Sequence, residues 1–138
     1  MAKRVLVVDD HTETVKLIDE AFSKAGFRVR TACNGAECLL ELEASVPDLV
    51  IMDVGMPVLD GLDTLRLLRQ NPDTADTPVI ILSGKGGYDD VRAGWRTGAE
   101  MYLTKPVRIG ALLAAARHLL GLSPDRLPMQ MAVVGRER

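Results

Sequence analysis

Five short, apolar, β-branched runs recur along the chain with segments of helical period between them, and few folds accommodate that alternation. The runs predict strands at Arg4–Asp9, Arg28–Ala32, Asp48–Met52, Pro78–Ser83 and Glu100–Thr104. Val5-Leu6-Val7-Val8 and Leu49-Val50-Ile51-Met52 are apolar on both faces, as strands covered by helices on each side must be. The first helix, about Thr12–Ala25, carries Val15, Ile18, Ala21, Phe22 and Ala25 on one stripe and stops at Gly26. Further helices are expected near Gly35–Ala44, Gly61–Gln70, Tyr88–Thr97 and Ile109–Leu120, the last with Ile109, Leu112, Leu113, Ala116 and Leu120 inward. The reading is α/β: a (βα)5 chain whose right-handed crossovers give a doubly wound, five-stranded parallel sheet with functional residues at the carboxyl ends of the strands.

Length and composition agree with one domain, since 138 residues with 47% apolar side chains suffice for one core. The expected division is a folded domain over 1–121 and a flexible C-terminal tail over 122–138. That tail is a frayed terminus or linker stub, or else a docking segment using Leu127, Met129, Met131 and Val133. A formal net charge of -2 offers no general attraction to nucleic acid or anionic membrane, so direct nucleic-acid binding is not expected. The N-terminus lacks a signal peptide and no apolar run reaches spanning length, which points to a cytoplasmic protein without membrane insertion. Cys33 and Cys38 have neither zinc nor redox-pair spacing and are expected to be buried, reduced thiols.

The chemistry concentrates in acids. Asp9 and Asp10 close the first strand and Asp53 follows the third, so a parallel sheet brings three carboxylates to one edge. A single N-cap would explain one aspartate; three together call for a cation. Carboxylate oxygens with no His or Cys donor expected among them favour a hard ion, and a small site that keeps several waters suits Mg²⁺ better than Ca²⁺.

Asp53 opens the segment Asp-x-x-Met-Pro-x-x-Asp-Gly, ending at Asp60-Gly61, after a buried strand. The fourth strand ends Leu82-Ser83-Gly84, and Gly98-Ala99 leads through Tyr102 to Lys105-Pro106. This ordered set, over about Arg4 to Leu120, resembles the receiver domain of two-component response regulators, the CheY-like superfamily. The resemblance implies a flavodoxin-like fold with strand order 2-1-3-4-5. It implies that Asp53 accepts a phosphoryl group from a sensor histidine kinase or phosphotransfer protein, with Mg²⁺ held by Asp10, Asp53 and the Gly55 carbonyl, and by Asp9 through water. Lys105 and Ser83 are then the residues that meet phosphoryl oxygens, although Lys105 also neutralises the acidic cluster. Pro106 is expected to follow a cis peptide. Ser83 and Tyr102 match the family's switch pair, and plain packing on an amphipathic strand is the less favoured account of Tyr102. The output surface would be helix four, strand five and helix five, addressed to a downstream protein effector, with oligomeric state open. Trp95 on helix four is expected to pack in the core.

The resemblance also implies a signalling switch rather than an enzyme, one that catalyses only its own phosphorylation and dephosphorylation. With no DNA-binding, enzymatic or phosphotransfer segment evident, a single-domain regulator is expected. Three departures or weak signals remain. His11 stands where the family often has an acidic or polar residue, which removes negative charge from the metal site. Gly84-Lys85-Gly86-Gly87 lacks the P-loop pattern. His118 fits a solvent-facing residue at a helix end. A dehalogenase-type phosphatase is disfavoured because His11, not aspartate, lies two residues beyond Asp9. A flavodoxin-like nucleotide protein is disfavoured because the acids would repel its phosphate. The remaining alternative is a receiver that binds partners without phosphorylation.

Overall fold

The computed structural model describes residues 2–56, 59–84 and 98–122, together with the backbone of 132–133. Its elements run β1 (Arg4–Val8), α1 (Thr12–Lys24), β2 (Arg28–Ala32), α2 (Gly35–Ala44), β3 (Leu49–Asp53), α3 (Gly61–Gln70), β4 (Val79–Ser83), β5 (Met101–Thr104), α4 (Ile109–Leu119) and β6 (Ala132–Val133). The helix expected at 88–97, with Trp95, lies outside the described residues, so α4 is the fifth helix of the sequence reading.

The first five strands are parallel in the order β2-β1-β3-β4-β5, as expected for a doubly wound sheet. A sixth strand that periodicity did not signal adds to the β5 edge: Ala132–Val133 pairs antiparallel with Met101 and Tyr102. Leu127, Met129 and Met131 of the suggested docking segment lie outside the described residues.

Strand alternation divides the core into two layers. Val5, Val7, Leu49, Ile51, Ile80, Leu82, Met101 and Leu103 pack against Ile18 and Phe22 of α1 and Leu112, Ala115 and Ala116 of α4. The opposite faces, with Leu6, Val8, Val50, Met52, Ile81 and Tyr102, meet Cys38 and Leu42 of α2 and Leu65 and Leu68 of α3. Each fully buried Val, Leu or Ile contributes about 1.5–3 kcal/mol relative to exposure, so the two layers hold the sheet rigid beneath whatever its edge carries.

Helix ends follow from local chemistry. Asn34 caps α2 by accepting from the Glu37 amide at 2.8 Å, and Asp60 caps α3 by accepting from the Asp63 amide at 2.9 Å. Helix α1 closes in a Schellman turn: the Phe27 amide donates to the Phe22 carbonyl, the Gly26 amide to that of Ser23, and Gly26 takes the required positive φ of 96°.

Two expectations need correction. Asp53 does not follow β3 but ends it, because pairing with β4 continues to the register Asp53 opposite Leu82. Cys33 is exposed rather than buried, since β2 is an edge strand and the chain turns outward after Ala32; its Sγ lies 2.6 Å from Glu37 Oε2. Cys38 is buried as expected, and burial pushes its thiol up to about 12. His118 is exposed in the last turn of α4.

Candidate functional site

The carboxyl ends of β1, β3 and β5 converge on four side chains, and β4 ends beside them at Ser83. Beyond β1 the Asp9 amide still donates to the Ala32 carbonyl of β2 at 3.1 Å, which holds Asp9 against the sheet with 2% of its surface exposed. Asp10 turns outward and is exposed. At the end of β3, Asp53 is 4% exposed.

The segment after Asp53 folds back sharply. The Val54 amide donates to the Leu82 carbonyl and the Gly61 amide to the Val54 carbonyl, both at 3.0 Å. A Cβ at Gly61 would lie 2.3 Å from the Asp53 carbonyl oxygen and 2.9 Å from Val54 Cα, so the return of the chain under the acceptor loop requires glycine. Gly55 sits at the lip of the site, where a Cβ would come within 3.9 Å of Asp53 Oδ2.

Lys105 follows β5, its amide donating to the Ser83 carbonyl at 2.6 Å, and the Lys105–Pro106 peptide is cis. Its Nζ reaches between two carboxylates, 3.1 Å from Asp9 Oδ2 and 3.1 Å from Asp53 Oδ1. Ser83 is buried one register step beyond the Leu82 that faces Asp53, opposite Thr104.

Electrostatics set the character of this edge. Burial raises the pKa of Asp53 above the ordinary carboxylate value, the Lys105 hydrogen bond pulls it back, and the charge of Asp9 and then Asp10 pushes it up again. Burial alone would lower that of Lys105, but its hydrogen bonds to Asp53 and Asp9 and their charges outweigh this, and the ammonium is held above its usual range. Three carboxylates against one ammonium leave two net negative charges among these four residues, the complement of a divalent cation. Ligand atoms of Asp9, Asp10, His11 and Asp53 all lie within 4.8 Å of one another, a span one small ion can bridge. The carboxylate oxygens of this set therefore fit a hard divalent ion.

A family model described as the response regulator receiver domain matches residues 5–117. The chain belongs to this receiver family. Among its relatives, the transcriptional regulatory protein PrrA of Mycobacterium tuberculosis is 39% identical over 117 residues, 85% of this chain and 49% of that protein. The response regulator MprA of a Mycobacterium species is 39% identical over 129 residues, 93% of this chain and 55% of that protein. The chain thus spans about half the length of the curated relatives it matches. Among solved structures, the chemotaxis response regulator CheY4 of Vibrio cholerae superposes with a TM-score of 0.82 at 28% identity, covering 86% of this chain and 99% of that one. The receiver domain of Francisella response regulator 1452 gives 0.81 at 33% identity, covering 86% and 97%.

In this receiver, Asp9, Asp10, Asp53 and Lys105 come together as one cluster, and Ser83 and Gly55 flank it. Tyr102 stands apart: its ring faces the α2–α3 layer and is 1% exposed. Among the described residues, no helix is long and apolar enough to cross a membrane. Two features escaped the sequence reading. His11 lies inside the cluster, its ring Nδ1 3.1 Å from Asp9 Oδ1 and 3.2 Å from Asp10 Oδ1. Arg69 and Glu100, at the opposite end of the sheet, form an ion pair at 2.7 Å. The position of His11 beside the acids was visible; the Arg69–Glu100 pair, 31 residues apart, had no local signal.

Proposed function

We propose that this receiver is a phosphorylation switch in which Asp53 accepts a phosphoryl group from a phosphohistidine on a sensor histidine kinase or phosphotransfer protein. The observation that carries this is the Lys105 ammonium bridging buried Asp53 and Asp9 beside Asp10, with net negative charge left over. An ordinary strand exit has no use for such an arrangement.

An Asp53 carboxylate oxygen attacks phosphorus, a P–O bond forms as the P–N bond breaks, and the electron pair leaves with the donor imidazole, which takes up a proton. Catalysis is mainly positioning and charge neutralisation. The Lys105 ammonium neutralises phosphoryl oxygens as they approach, and the Ser83 hydroxyl donates to one of them. Asp10, Asp53 and the Gly55 carbonyl would hold Mg²⁺, with Asp9 acting through a water. When bound, Mg²⁺ supplies positive charge where the transferring group spreads its negative charge. The β-aspartyl phosphate is labile, so in-line attack by water returns Asp53 to its free state, and the protein is a switch rather than an enzyme acting on other molecules.

Output follows from Ser83 and Tyr102. Ser83 moves toward the phosphoryl group, Tyr102 fills the space behind it, and the surface around β5 changes its preference for a cytoplasmic protein partner. The β5 pairing of Ser83 with Thr104, two residues past Tyr102, supports this coupling.

The test is intact-protein mass after incubation with acetyl phosphate and Mg²⁺. One added phosphoryl group, absent with EDTA and in Asp53→Asn, is expected. Absence of any adduct at early quench times would replace this account with a receiver that binds its partner without phosphorylation.

A further inference from the structure

We infer that His11 is an additional metal ligand, which turns the acidic site of this receiver toward transition-metal divalent ions such as Mn²⁺, Co²⁺, Ni²⁺ and Zn²⁺. The inference rests on the reading of Asp9, Asp10 and Asp53 as a divalent-metal site and adds a nitrogen donor to it.

The backbone delivers the ring to the cluster. The His11 amide donates to Asp9 Oδ1 at 2.9 Å, fixing the turn between β1 and α1, and His11 is the N-cap residue of α1 without making a side-chain cap. Its imidazole is thus not engaged in capping and lies over the carboxylates, Nδ1 at 3.1 Å from Asp9 Oδ1 and 3.2 Å from Asp10 Oδ1. Donor atoms about 2.1 Å from an octahedral ion stand about 3.0 Å apart when adjacent and about 4.2 Å apart when opposite. The His11–aspartate distances match the adjacent spacing, and the four donors together span no more than 4.8 Å. One ion can touch the ring and the Asp10 and Asp53 carboxylates after small side-chain rotations, with Asp9 within reach of a metal-bound water. The ring is also more than half exposed, with 64% of its side-chain surface open, so it has room to make them.

Donor chemistry then sets selectivity. Mg²⁺ is hard, prefers oxygen and gains little from an imidazole. Affinity for a site with nitrogen rises from Mn²⁺ through Co²⁺ to Ni²⁺ and Cu²⁺. An imidazole beside the acids therefore raises the affinity of transition-metal competitors while adding little for Mg²⁺.

The experiment uses the full chain. Pulsed EPR on the Mn²⁺-loaded protein is expected to show ¹⁴N modulation from a coordinated imidazole in wild type and in His118→Ala, and to lose it in His11→Ala. By calorimetric titration, the Ni²⁺ Kd should rise about ten- to a hundredfold in His11→Ala, the range typical for disrupting a ligand's support, while the Mg²⁺ Kd stays within about twofold. His11→Asn, which keeps a favoured N-cap residue, serves as a second variant and should also lose the modulation. Mn²⁺ binding without imidazole coupling in wild type would overturn the assignment of His11 and leave the carboxylate site standing. If wild type binds neither Mn²⁺ nor Mg²⁺, both the assignment and the metal reading beneath it fall.

Discussion

At the amino end of the sheet, the guanidinium of Arg69 donates to the Gly98 and Thr77 carbonyls, at 2.9 and 2.7 Å, and to Glu100 Oε1 at 2.7 Å. Glu100 in turn accepts from the Val79 amide at 2.8 Å, so one cation and one carboxylate lock α3 to the starts of β4 and β5. At the carboxyl end, Lys105 faces Asp9 and Asp53 with Asp10 close by, and charge is left over. Both ends use half-buried or buried ions, yet among these described residues one pair is balanced and the other cluster is not. The difference separates charge that fastens a fold from charge kept available for a ligand.

The largest break in this comparison should come from the balanced end. Arg69→Ala removes the guanidinium from the Glu100 carboxylate and from the Gly98 and Thr77 carbonyls, and should cost about 3–5 kcal/mol in urea unfolding. A loss below about 1 kcal/mol would mean that the clamp is ornamental.

The next tests the backbone under the unbalanced end. Gly61→Ala drives a methyl into the Asp53 carbonyl and should cost about 1–3 kcal/mol while slowing phosphorylation by acetyl phosphate. Unchanged stability would show that the acceptor loop yields easily.

The smallest effect has the opposite sign. Asp53→Asn removes a buried charge that Asp9 and Asp10 repel, and should stabilise the metal-free protein at neutral pH by on the order of 1 kcal/mol. Because the folded-state pKa of Asp53 is raised, its ionisation weakens the fold above that pKa, and the penalty fades as pH falls through it. The gain from Asp53→Asn should therefore shrink on acidification. Lys105 works the other way: its raised pKa contributes stability that is complete below the ordinary lysine value of 10.5 and is lost as pH rises through the folded-state pKa. Denaturation curves across pH, for wild type and the variant, check both signs.

The contrast also explains what was legible in the sequence. The carboxyl-end acids and Lys105 each stand at a strand exit, where a parallel topology forces exits together, so Asp9, Asp10, Asp53 and Lys105 could be grouped before any coordinates. The strands themselves were visible because runs such as Val79-Ile80-Ile81-Leu82 are buried on both faces. Arg69 and Glu100 look like ordinary surface residues; their pairing depends on α3 returning to the far end of the sheet. Ala132–Val133 is too short to carry a period, and its place beside β5 is set by tertiary pairing alone. Cys33 was misjudged because an edge strand exposes what a central strand would bury. His11 was noted for the charge it lacks and for breaking a dehalogenase pattern, not as a donor, since the direction of its ring could not be inferred from spacing.

The central claim is that the uncompensated end of the sheet is a phosphoryl-acceptor site and that Asp53 is its nucleophile. The most direct measurement is borohydride trapping after reaction with acetyl phosphate and Mg²⁺, followed by peptide mass mapping, because reduction of an acyl phosphate marks the residue that carried it. The account predicts homoserine at position 53 and nowhere else. Homoserine at position 9 or 10, or an unmarked position 53 in protein that gained a phosphoryl group, would contradict it.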